Sequence, residues 1–172
     1  RIARLKRALE GVERERETQR RRRRRRFRVA LVGYTNAGKS SLFNALTRAG
    51  VFVEDRLFAT LDATTRQLVS PARQLALLTD TVGFIRKLPH HLVASFHSTL
   101  AEVAEADLLL HVVDAADPDL ARQMEAVEAA LEELLEEPRP TVTVFNKMDL
   151  VRDEDVAAGL AARFPGALLV SA

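Results

Sequence analysis

Eight residues, Gly33-Tyr34-Thr35-Asn36-Ala37-Gly38-Lys39-Ser40, spell G-x-x-x-x-G-K-S. They follow an apolar run (RVALV, 28–32) and lead into a helix-like segment at 39–48, the strand-to-helix context that a phosphate-binding loop requires. The glycines let a short loop curl until the backbone N–H groups of Tyr34, Thr35, Asn36 and Ala37 face inward, an arrangement suited to a phosphate chain. A helix opening at Lys39 adds the positive end of its dipole. Lys39 is expected to bridge the β- and γ-phosphates and the Ser40 hydroxyl to ligate Mg²⁺. Ser41, on the same first turn, is grouped with them.

A second piece is Asp80-Thr81-Val82-Gly83, after a run containing Leu75, Leu77 and Leu78. Asp80 there can hold Mg²⁺ through water, and the Gly83 N–H can reach a γ-phosphate. D-x-x-G alone is a weak signal. One hairpin after a phosphate-binding loop, it is a strong one.

The third piece, Asn146-Lys147-Met148-Asp149, ends the next-to-last apolar run. Asp149 can accept two hydrogen bonds from N1–H and N2–H₂ of guanine. Adenine offers a donor at neither place and would leave a carboxylate built for pairing unpaired. Asn146 is expected to tie this loop to the first one, and Lys147 to lay its stem over the base. Ser171-Ala172 stand where a last base-binding loop begins, with the Ala172 N–H facing the base oxygen. The three motifs in this order point to a GTP- and GDP-binding site with Mg²⁺, and to hydrolysis of GTP by in-line attack of water.

The elements that must hold these loops alternate. Strand-like runs lie at 28–32, 66–70, 74–79, 107–114, 141–146 and 167–171, and helix-like runs at 39–48, about 92–105, 119–136 and 153–163. Apolar strands alternating with helices predict an α/β three-layer sandwich on a mostly parallel six-stranded sheet. Only Pro71, Ala72 and Arg73 separate the second and third runs, a gap that allows only an antiparallel hairpin. One antiparallel edge strand is therefore expected. In 119–136, Leu120, Met124, Val127, Leu131 and Leu134 form a core-facing stripe. Adjacent His90 and His91 find no further ligand at metal-binding spacing, and His111, inside an apolar run, reads as a buried core histidine.

Residues 1–26 read as a basic helix, with Ile2, Leu5, Leu9 and Val12 along one stripe. That stripe has nothing in its own segment to pack on, so 1–26 is expected to be a linker from a preceding domain. Residues 27–172 are expected to be the nucleotide-binding domain, cut before a closing helix. The net charge of +2 hides a split. The first 28 residues carry 14 Lys and Arg against four Glu, and the rest 12 against 20 acidic residues. A basic arm on an acidic body suggests a polyanion partner. The absence of cysteine excludes disulfides and thiolate metal sites. No apolar run approaches the ~18 residues of a membrane span, and residues 1–28 hold no apolar signal core. A soluble, cytoplasmic monomer without membrane contact is expected.

The phosphate-binding loop from Val32 to Ser40, the run Leu57-Phe58-Ala59-Thr60-Leu61-Asp62, the run Asp80-Thr81-Val82-Gly83-Phe84-Ile85, and the Arg-rich segment entering the first strand together resemble the HflX family of bacterial GTPases. The resemblance covers nearly the whole chain, with Ala63 departing from the family's usual Pro. It implies a ribosome-associated GTPase with its own N-terminal domain, acting on the large subunit and its rRNA, slow alone, stimulated by its partner, and splitting stalled ribosomes. Thr60 best matches the switch threonine that closes on Mg²⁺ and the γ-phosphate, with Thr64 and Thr65 as rivals; all three also read as β-branched residues leading into an edge strand, which fits Thr64 and Thr65 better. Phe84 stands where a water-orienting Gln is found in Ras-like enzymes, and a phenyl ring cannot hold a water. Asn36 resembles the residue of GTPases that use K⁺, although from the residues alone a turn Asn holding its own backbone is the favoured reading. Thr60, Gly83, Lys39 and Asn36 are thus the candidate catalytic set. Two other readings fit the same motifs: a GTPase of ribosome assembly or tRNA modification, and a nucleotide-gated RNA-binding module with incidental hydrolysis.

Overall fold

A computed structural model describes residues 26–48, 63–69, 75–83 and 101–172. The expected basic helix up to residue 25, Thr60, Phe84, His90 and His91 lie outside them.

Six strands form one sheet in the order β2-β3-β1-β4-β5-β6. They are β1 (Phe27–Val32), β2 (Thr64–Val69), β3 (Leu75–Asp80), β4 (Leu108–Asp114), β5 (Thr141–Asn146) and β6 (Leu168–Leu169). The helices are α1 (Lys39–Thr47), α2 (Leu120–Leu134) and α3 (Glu154–Arg163), with a 3₁₀ turn at Met148–Leu150 and helical residues 101–104 before β4. β2 runs antiparallel to β3 and the other described pairs are parallel. The expected fold is therefore present, with its antiparallel edge.

Two boundaries differ from the apolar runs. β2 starts at Thr64 because Thr64 and Thr65 pair with Asp80 and Thr79, and the Thr65 and Thr79 hydroxyls lie 2.9 Å apart. Cross-strand hydroxyl pairs favour strand over loop. β6 keeps only two ladder residues, with Leu168 and Leu169 52% and 40% exposed. An apolar run reads as a buried strand, but here it forms the sheet's far edge.

Alternate side chains of the central strands feed two cores. On one face Val29, Leu31, Leu78, Val112 and Val144 pack with Leu42 and Phe43 of α1. On the other, Ala30, Val32 and Leu109 meet Val103, Val127 and Leu131, and Phe145 and Met124 meet Leu160 and Phe164. The stripe expected on α2 is the one buried, through Met124, Val127 and Leu131. Phe43 is fully buried; its truncation to Ala would cost about 3–5 kcal/mol and loosen the helix that starts at the phosphate-binding loop. Asp153 caps α3, its carboxylate accepting from the Asp155 N–H at 2.9 Å. No described helix is long and apolar enough to cross a membrane.

The consequence for function is one of polarity. All parallel strands end on the same side, so the segments after β1, β3, β4, β5 and β6 share one rim. Ligands of open α/β sheets bind outside that rim.

Candidate functional site

α1 starts from Gly38, which has no side chain to cap its first-turn N–H groups and no acidic residue follows in that turn. Those donors are thereby left for an anion. Gly38 itself has φ +89, and a Cβ on it would run into the Asn146 amide. Both the turn and the close approach of the β5 loop require glycine here.

Lys39 is buried, with its ammonium donating to Tyr34 O at 2.9 Å and Gly33 O at 3.3 Å. Burial lowers its pKa from 10.5 to about 8, against the fully buried Asp80 carboxylate, which raises it. The loop's own carbonyls therefore hold a cation whose natural partner is a stronger anion. The Ser40 hydroxyl donates to Asp80 Oδ2 at 2.6 Å. One hydroxyl and one carboxylate, both hard oxygen donors, converge beside the helix N-terminus. That donor set fits Mg²⁺, which takes few protein ligands and fills its shell with phosphate and water. Among the described residues no group of three His, Cys, Asp or Glu could hold a metal ion.

After β3, Thr81 is fully buried and its hydroxyl donates to Leu31 O of β1, fixing where the chain leaves the sheet. Gly83 then lies against the first loop: a Cβ there would sit 2.6 Å from Thr35 Cα and 3.0 Å from Lys39 Nζ. Asn36 is exposed and left-handed at φ 63, a conformation that Asn tolerates better than most residues.

Asn146, at the end of β5, is fully buried and used at both ends. Its Nδ2 donates to Ala37 O at 3.2 Å and its Oδ1 accepts from the Ala172 N–H at 3.0 Å. The tie to the first loop is as expected. The Ala172 N–H donates to Asn146 Oδ1, the acceptor that the buried amide presents to it. Asp149 is exposed in the 3₁₀ turn and accepts a hydrogen bond from the Ser171 hydroxyl. Val170 braces this pair, its N–H donating to Phe145 O at 2.8 Å and its carbonyl accepting from the Met148 N–H at 3.1 Å. Lys147, left-handed at φ 61, reaches Asp114 Oδ2 at 2.7 Å.

Motif reading did not single out Asp114, nor the contact of Thr35 with Gly83. A carboxylate closing an apolar run was the only available signal for Asp114. Thr64 and Thr65 lie within β2, as strand-entering residues would. His111 is buried as expected, and burial followed by the Lys39 charge lowers its pKa from 6.5 to about 4.

The rim thus gathers a phosphate-type loop, a hydroxyl–carboxylate pair and a base-type carboxylate. A family model described as 50S ribosome-binding GTPase matches residues 28–147. The chain belongs to that family. GTPase HflX of Magnetococcus marinus is 54% identical over 165 residues, 95% of this chain and 38% of its own length. GTPase HflX of Gluconacetobacter diazotrophicus is 52% identical over 172 residues, 100% of this chain and 38% of its own. The chain spans well under half of these relatives, and the resemblance to HflX GTPases read from the motifs holds across it.

Solved P-loop GTPases share the fold. An Era variant of Aquifex aeolicus bound to GDP and AlF₄⁻ gives a TM-score of 0.67 at 22% identity, over 84% of this chain and 50% of its own. A Sulfolobus solfataricus GTP-binding protein in complex with GDP gives 0.60 at 26%, over 96% and 51%. NFeoB of S. thermophilus bound to GDP·AlF₄⁻ and K⁺ gives 0.63 at 21%, over 85% and 55%.

Proposed function

We propose that this GTPase domain binds GTP and GDP through the rim described above and hydrolyses GTP while its full-length protein sits on the large ribosomal subunit. The observation that carries the nucleotide reading is the double use of Asn146. One buried amide joins the phosphate side, at Ala37, to the base side, at Ala172, so the two halves of a nucleotide site are built at a fixed separation.

In this reading Lys39 lets go of the loop carbonyls and takes the β- and γ-phosphate oxygens, while the N–H groups of residues 34–41 cradle the chain. Ser40 and Asp80 exchange their mutual hydrogen bond for the metal site, Asp80 acting through water. Mg²⁺, when bound, neutralises the charge that builds on the transferred phosphoryl group. Gly83 offers its N–H to the γ-phosphate, and its contact with Thr35 couples that loop to the first. Thr60 is the switch threonine that completes the GTP-bound state. Asp149 takes the guanine edge, held in aim by Ser171. Asn36 is the K⁺ ligand, a role supported by its exposed place on the loop and by the K⁺ in the NFeoB structure of the same fold. Phe84 at the position of the water-orienting Gln, a ring that cannot hold a water, supports slow turnover until a partner docks.

Family membership supports the ribosome as that partner. The resemblance to HflX GTPases supports splitting of stalled ribosomes as the outcome, by a cytoplasmic monomer whose N-terminal domain precedes the basic linker at 1–26. GTP turnover by the full-length protein, measured alone and with purified 30S or 50S subunits, tests this. Turnover should rise with 50S and not with 30S. Equal rates in all three mixtures would overturn the ribosomal reading and leave the nucleotide site standing.

A further inference from the structure

Base-binding loops of this kind need a wall as well as an edge. The edge is Asp149. The wall is a lysine stem, and a lysine stem has four rotatable bonds with nothing intrinsic to keep it still. In this chain something does. Lys147 Nζ donates to Asp114 Oδ2 at 2.7 Å, and the two side chains are only 23% and 15% exposed. Along the way the stem passes the first loop: a Cβ on Gly38 would lie 4.0 Å from Lys147 Cε. Asp114 is itself fixed. Its Oδ1 accepts from the Ala116 N–H at 3.0 Å, and the next residue, Ala115, donates its N–H to Asn146 O at 2.9 Å. The end of β4 therefore grips the β5 loop twice, by backbone at Asn146 and by side chain at Lys147.

From this geometry we infer that Asp114 is a positioning residue of the base site: it stretches Lys147 past Gly38 so that the methylene stem forms one wall of the base slot before nucleotide arrives. The inference rests on the guanine reading above. Its physical content is preorganisation. A tethered stem loses little rotamer freedom when a base slides against it, whereas a free stem loses it on binding and returns it on release. The tether thereby slows dissociation. It acts on the ring face, which guanine and hypoxanthine share, and not on the edge that Asp149 reads.

The test is a displacement experiment on the full-length protein, with fluorescent GDP chased by unlabelled GDP, repeated with IDP. Asp114→Ala should raise the GDP dissociation rate about tenfold, the scale of one largely buried charge-assisted hydrogen bond. Asp114→Asn has one acceptor oxygen where Asp114 uses two, for Lys147 and for the Ala116 N–H, and should fall between the parent and the alanine variant. The GDP-to-IDP affinity ratio should not change in either. In a Lys147→Ala background, Asp114→Ala should add nothing. Should the alanine variant fail to fold, Asp114→Ser serves in its place, since its hydroxyl can still take the Ala116 N–H but is too short to reach Lys147.

An unchanged dissociation rate in Asp114→Ala overturns the inference. So does a full effect that persists in the Lys147→Ala background, because Asp114 would then act through the Ala116 turn alone. A parent protein that binds ADP as well as GDP is a different failure: it removes the guanine reading, and this inference with it.

Discussion

His111 offers a sharp test of how the sheet is built under the phosphate loop. It lies within β4, in register with Val32 of β1 and Thr143 of β5, and is 3% exposed. Burial and the nearby Lys39 charge lower its pKa from 6.5 to about 4, so the folded chain holds it neutral. The unfolded chain protonates the same side chain near pH 6.5. Between these values the unfolded state binds the extra proton, and stability falls as pH falls. From the two pKa values the loss is about 0.8 kcal/mol at pH 6 and about 2 kcal/mol at pH 5, levelling off below pH 4. Carboxylates contribute their own acid loss, so the quantity to measure is a difference. Urea unfolding of the chain at pH 7 and pH 5, for the parent and for His111→Leu and His111→Gln, gives it. Both variants should lose about 2 kcal/mol less than the parent on going to pH 5, whatever their stability at pH 7. Equal losses in parent and variants would mean that the buried imidazole accepts its proton in place, and the argument from burial would be wrong.

Asp149→Asn should move preference from guanine toward xanthine nucleotides, since an amide donates where xanthine has a carbonyl; GDP, XDP and ADP titrations check it, and an unchanged GDP preference would sink the assignment. Gly38→Ala combines a φ of +89 with a collision at Asn146, so nucleotide affinity should fall more than about tenfold. Gly159→Ala, in α3 with open space at its Cβ, should instead stabilise by about 0.5–1 kcal/mol on thermal melting. Substituting four of the seven arginines at 20–26 with Gln should flatten the salt dependence of ribosome binding. If four to six contact phosphates, the parent's log–log slope is roughly −3 to −5, and identical slopes would make the run a solvated linker.

Much of this was legible in the sequence, because periodicity and motif spacing report local physics. The near-continuous apolar runs at 28–32 and 107–114, the three-residue gap before Gln74, and the glycine pair around the first loop each fix a local geometry. The α2 stripe likewise had one face to bury. What failed to show was relational. Leu168 and Leu169 look like core until the sheet order puts them on an edge. Thr64 and Thr65 read as loop or strand until Thr79 and Asp80 lie opposite. Asp114 is merely a polar residue closing a strand until the left-handed turn at Lys147 swings an ammonium onto it. The bond from the Ala172 N–H to a buried amide 26 residues away likewise shows only once β5 and β6 lie side by side.

That amide also bears on how the chain reaches its native state. Asn146 links to Ala37 across 109 residues of sequence, a separation that makes the contact costly to close early. Both of its hydrogen bonds wait on the pairing of β1, β4 and β5 and on the docking of the segment after β6. The nucleotide site is therefore expected to close after the folding transition state, and a φ-value near zero for Asn146→Ala is the result that checks it. A ligand that binds only the finished site stabilises without hastening folding; its whole effect falls on the unfolding rate. Bound GDP would act as a latch on a completed domain.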